Sequence, residues 1–182
     1  MKQLLFIALW LMVGVALAQN AGLPCPGFEI QTEYDSTHRR YHYYQVETPL
    51  CALDEARGLT PQAVFALLCS DLTLVAPLSP AYRGPVRPCE RLEVKIAFTR
   101  RNPIVTAVDR AALRLVNYSL PGHFLHPGMV ERQVVVREGQ VWMVTRSWGE
   151  GRLPRANERK AEDTWGGIDA QLKTRLLEEA AE

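Results

Sequence analysis

Apolar and polar positions alternate from Leu92 to Thr99, with Leu92, Val94, Ile96 and Phe98 set against Glu93, Lys95, Ala97 and Thr99. A period of two predicts a half-buried strand, and Asn102-Pro103 is expected to break it. A second such pattern occupies 129–148. There, 130–137 and 140–146 flank Glu138-Gly139, a two-residue hairpin turn with glycine second. That turn sets Val136 opposite Val141, Val134 opposite Met143, Val135 opposite Trp142 and Glu131 opposite Arg146. Apolar groups fall on both faces, which predicts a sheet covered on both sides.

Two segments carry helical patterns. Thr60 is a good cap and Pro61 a good first residue for a helix running through Ala63, Val64, Phe65, Leu67, Leu68 and Cys69 to about Leu72. It is apolar on most sides and therefore expected to be buried. Ile168, Leu172, Leu176 and Ala180 recur at a spacing of four, with Asp169 and Lys173 as a supporting i,i+4 pair. Between these elements, 39–46 favours strand through Tyr41, Tyr43 and Tyr44. Residues 109–120 fit either a short helix capped by Asp109 or a strand, and we read strand over 113–119. Segments 77–88 and 149–165 read as loops, the first being the clearest internal boundary. The expected fold class is α+β: an antiparallel sheet with one buried N-terminal helix and a C-terminal amphipathic helix, stapled by disulfides.

The start of the chain changes the picture of where it works. Met1-Lys2-Gln3 is a short positive start, 4–18 is uncharged, and Ala16-Leu17-Ala18 has the small-x-small form that a signal peptidase reads. The uncharged run is shorter than the roughly twenty residues needed to cross a bilayer. We therefore expect a signal peptide at 1–18, a single domain at 19–182, and no integral membrane anchor after cleavage. All four cysteines, Cys25, Cys51, Cys69 and Cys89, follow the cleavage site. An even count in a secreted or periplasmic chain predicts two disulfides, with three connectivities open. If neighbours pair, the bridges are Cys25–Cys51 and Cys69–Cys89. The CxxC pairs of a zinc site are missing, so no metal is expected. The domain then divides into a disulfide-stapled half at 19–89 and a sheet-and-helix half at 90–182.

Composition removes several function classes. The chain is 47% hydrophobic and 23% charged, with formal net charge +1. Loss of Lys2 with the leader, and of no acid, brings that charge to zero. Such a balance argues against disorder and against nucleic acid as a partner. The GxSxG, HExxH, GxxxxGK and GxGxxG signatures are absent, and no cofactor is expected.

Chemistry concentrates at a few places. Pro121-Gly122-His123-Phe124-Leu125-His126-Pro127-Gly128 puts His123 and His126 in a restricted loop, where imidazoles can exchange protons near neutral pH. The simpler reading is a chain that turns twice. Glu131 and Glu150 are the carboxylates that can serve such a pair. Trp148, and Arg40, His42 and Tyr44 on one face of the tyrosine-rich segment, are candidate contact residues. The expected function is that of an exported envelope or extracellular protein binding a protein or polymer partner, as an inhibitor or immunity-like factor does. Two alternatives stand beside it. One is a small secreted hydrolase using the His123/His126 loop with Glu131 or Glu150; the other is a structural envelope component with no active site.

Overall fold

The computed structural model describes residues 23–78, 82–96 and 99–181; the leader expected at 1–18 lies outside them. The described residues form β1 (His42–Ala52), α1 (Pro61–Ser70), β2 (Arg91–Ile96), β3 (Thr99–Asp109), β4 (Arg114–Ser119), β5 (Gly128–Arg137), β6 (Gln140–Gly149) and α2 (Pro154–Glu179). The strands make one antiparallel sheet in the order β1-β6-β5-β4-β3-β2. The fold is α+β with a C-terminal helix, as the patterning predicts. No helix among the described residues is long and apolar enough to cross a membrane.

Local chemistry explains the best-defined elements. The β5–β6 hairpin has the predicted pairs, Val136 with Val141, Val134 with Met143, Val135 with Trp142 and Glu131 with Arg146. Its turn places Glu138 and Gly139 at φ of 51° and 73°, the left-handed pair that matches strand twist. α1 starts on Thr60, whose hydroxyl accepts from the Ala63 N–H. It buries Val64, Phe65, Leu67 and Leu68.

One face of the sheet is organised in rows that cross its strands. Tyr44, Ser147, Val130, Asn117 and Thr106 stand side by side, followed by Val46, Thr145, Arg132, Leu115 and Val108, then Thr48, Met143 and Val134. Met143 and Val134 of the last row belong to the main core, with Leu50, Phe65, Leu68, Leu172 and Leu176. The middle row holds Arg132, which is fully buried, ion-paired with the equally buried Asp169 of α2, and bonded to the Leu74 carbonyl. Its guanidinium lies 5.3 Å from the Trp165 ring centre. The opposite face is covered by the segment before β1: Leu23, Phe28, Ile30 and Tyr34 pack on Val105, Val116, Tyr118 and Met129.

Several expectations are corrected. A single disulfide, Cys25–Cys89, ties the N-terminal segment to the sheet, while Cys51 and Cys69 are free thiols buried in the main core. The neighbour pairing fails because β1 and α1 hold those two residues inside the packed layer, away from the N-terminal strap. Asn102-Pro103 does not end a strand but lies within β3. The Pro103 carbonyl accepts from Leu120, just past the end of β4, so its missing N–H falls where that ladder has already stopped. The segment 149–165 is not a loop throughout, since α2 begins at Pro154 and runs through Gly166 and Gly167. Asp169 turns inward to Arg132 and does not make a surface pair with Lys173.

Candidate functional site: a cavity between sheet and helix

Towards the start of α2 the layers separate and leave a cavity of about 460 Å³ that is partly open to solvent. Its floor is the first inward row, Tyr44, Ser147, Val130 and Asn117, together with His42, Ser119, Ile104 and Val94. Its roof is one side of α2, from Leu153 and Ala156 through Lys160 and Ala161 to Trp165. The loop carrying His123, Phe124 and Leu125 closes one end. At the other end stand Arg132 and Asp169: Val130 and Trp165 face the cavity, whereas Val134 and Leu172 belong to the core. The buried ion pair thus separates an open compartment from a filled one.

The loop is held by glycines that allow close approach. A Cβ on Gly151 would lie 2.5 Å from the Leu125 carbonyl oxygen, and one on Gly149 would lie 2.7 Å from His42 Cε1 and 2.8 Å from the Pro127 carbonyl. Neither has a left-handed backbone, so these glycines serve close contact and not a tight turn. Gly151→Ala is expected to cost about 1–3 kcal/mol by forcing the loop outward. Gly166→Ala, where a Cβ meets nothing within 4 Å, should be neutral or stabilising by up to about 1 kcal/mol in helix α2. Urea denaturation of the two variants checks this contrast, and equal effects would refute it.

Most polar groups of the wall are engaged by the protein. Asn117 accepts from the Thr106 hydroxyl at 2.7 Å and donates to the Val75 carbonyl at 3.1 Å. Ser119 and Ser147 donate to the Gly128 and Met129 carbonyls. The Trp165 indole N–H donates to the Tyr44 oxygen at 2.9 Å. The imidazoles differ. The Leu125 N–H donates to His123 Nδ1 at 2.9 Å, which leaves the His123 proton on Nε2. Burial chiefly, and then neighbouring His126, pull the His123 pKa down to about 4. His42 is 2% exposed, and its Nδ1 has no hydrogen-bond partner among the described residues. Burial lowers its pKa too, against the opposing effects of the Arg40 backbone and Glu158.

The sequence-predicted residues are dispersed. His42, Tyr44 and His123 line the cavity. His126 turns its Nδ1–H to the Ser119 carbonyl at 2.9 Å. Glu131 lies on the other side of the sheet, 1% exposed, between Arg114 at 3.1 Å and Arg146 at 2.9 Å. Glu150 accepts from the Asp35 N–H at 2.7 Å and so holds the N-terminal strap. Trp148 belongs to the strap-covered cluster and meets Tyr43 at 5.5 Å between ring centres. Arg40 is exposed just before β1. The structure therefore gathers two of the histidines but brings neither carboxylate to them. The Asn117-Tyr118-Ser119 sequon is also closed off, its asparagine being buried.

The cavity itself is not legible as a motif, because a void leaves no residue signature. The available signals were indirect. Ser147 and Asn117 fall on an inward face, and α2 lacks an apolar stripe over the first turns, which roof the open space.

No protein-family model matches the chain, and no curated protein matches it. Solved structures do. The chain is similar to a Mesorhizobium loti protein at 12% identity and TM-score 0.53, covering 75% of this chain and 97% of that one. It is similar to a Nitrosomonas europaea protein at 13% identity and TM-score 0.52, covering 78% and 97%. A Thermobifida fusca protein gives 15% identity and TM-score 0.50, with coverage of 75% and 93%. At such identities the likeness concerns fold alone. The disulfide-tied strap and the buried Arg132–Asp169 pair are features read from this chain's own residues.

Proposed function

We propose that this chain binds a small, mainly apolar molecule in the cavity between its sheet and α2. The observation that carries this reading is a partly open cavity of about 460 Å³ whose lining is mainly apolar. That volume lies in the range of sites for small ligands. A core-sized void in a folded domain sacrifices packing, and an apolar occupant restores it. No Asp or Glu is among the described residues lining the cavity, so binding is better supported than hydrolysis by the His123 loop. The Cys25–Cys89 disulfide is at home in an oxidising compartment. Together with the leader expected at 1–18, it supports an exported binding protein, and contact with a second macromolecule in the envelope is an additional role open to it.

The neutral fluorophore N-phenylnaphthylamine tests the reading. It should bind saturably at one site per chain, and Ala161→Trp or Val130→Phe should weaken it at least about tenfold by filling the cavity. Circular dichroism should show both variants folded. Unchanged affinity in two folded variants would sink the cavity as the binding site.

A further inference from the structure

The residues at the loop end of the cavity constrain what the apolar molecule must carry. His42 opens β1 opposite Gly149, which in turn pairs with Gly128, so its imidazole stands at the end closed by the His123 loop. Its Nδ1 has no exposed surface, so the ring meets the cavity by its other atoms. His123 lines the same cavity with Nδ1 already occupied by the Leu125 N–H, which leaves Nε2–H to donate. The side chains of Asn117, Ser119 and Ser147 are committed to protein partners.

We infer that the cavity selects an apolar molecule bearing one uncharged oxygen function, a hydroxyl or carbonyl, held at the loop end by His42 and His123. This rests on the cavity being a binding site. An uncharged oxygen fits better than a carboxylate there, because both rings are buried and burial favours their neutral forms. A carboxylate would surrender its hydration and meet no buried cation in return. The charged lining residue is Lys160, an exposed side chain of α2 that is 3.7 Å from Asp163. It stands on the roof and not at the imidazole end.

Three ring-matched probes separate the possibilities in calorimetric titrations at neutral pH: naphthalene, beta-naphthol and ionised beta-naphthoate. Beta-naphthol should bind about fivefold or more tightly than naphthalene, the scale of one net hydrogen bond, and more tightly than the naphthoate. His42→Phe and His123→Phe should each shrink the ratio of naphthol to naphthalene affinity, with circular dichroism showing the variants to be folded. Equal binding of naphthol and naphthalene, unaffected by both changes, would overturn the inference and leave the apolar cavity standing. Tightest binding by the naphthoate would overturn it in favour of an anion at Lys160. Binding of none of the three would overturn both this inference and the reading beneath it.

Discussion

Replacing Asp169 by Asn should destabilise the protein by about 3–5 kcal/mol, the usual consequence of leaving one member of a buried ion pair without its counter-charge. Arg132 and Asp169 are both fully buried, and each belongs to a different layer, the guanidinium to β5 and the carboxylate to α2. Burial pushes the Asp169 carboxyl up, and the Arg132 charge opposes that shift. The cost arises from the abandoned charge and not from the attraction alone. Accordingly the double variant Arg132→Met with Asp169→Leu should recover most of the loss, short of about 1 kcal/mol for the Leu74 carbonyl that Arg132 now satisfies. Urea denaturation of the wild type and both variants measures this. A single-variant cost below about 1 kcal/mol would show that the pair is hydrated in solution, contrary to its packing.

Removing the disulfide by Cys25→Ser with Cys89→Ser should cost about 4 kcal/mol in the chain-entropy description, because the bridge closes a sequence separation of 64 residues. The loss should be accompanied by proteolytic cleavage within 26–41. The strap over Val105, Val116 and Tyr118 is then held by packing, by the Leu23 N–H on the Tyr118 hydroxyl and by the Glu150–Asp35 contact. Cys51 and Cys69 should resist alkylation until the chain unfolds, being buried in the main core. Mass mapping of the oxidised protein checks both points together. A second disulfide, or native-state alkylation at Cys51 and Cys69, would contradict the arrangement of the strap and core.

Both effects depend on contacts remote in sequence, and that explains which expectations failed. Asp169 sits four residues before Lys173, so local spacing suggests a surface pair. Nothing nearby in the chain reveals that Arg132 will be carried opposite it by the sheet. The cysteines are similar, since their number predicts oxidation but their partners depend on which of them enter the core. Residues 154–165 looked like loop because their helix roofs a cavity, and a helix over open space needs no continuous apolar stripe. For the candidate site, His42 and Tyr44 on one strand face and His123 in a restricted loop were readable individually. Their meeting in one cavity was not, because β1 and that loop are brought together only by the β1–β6–β5 ladder.

What the sequence determined by itself is what short-range chemistry decides. Glu138-Gly139 sets the turn, the turn sets the register of β5 and β6, and the alternation of residues then decides which side chains face inward. Thr60 and Pro61 likewise start α1 without help from the rest of the chain. Only the tertiary structure decided that Cys25 meets Cys89, that Arg132 meets Asp169, and that the layers part beyond that ion pair to leave a cavity. Those outcomes depend on how the sheet and α2 pack against each other, a balance of distant contacts that no local pattern encodes.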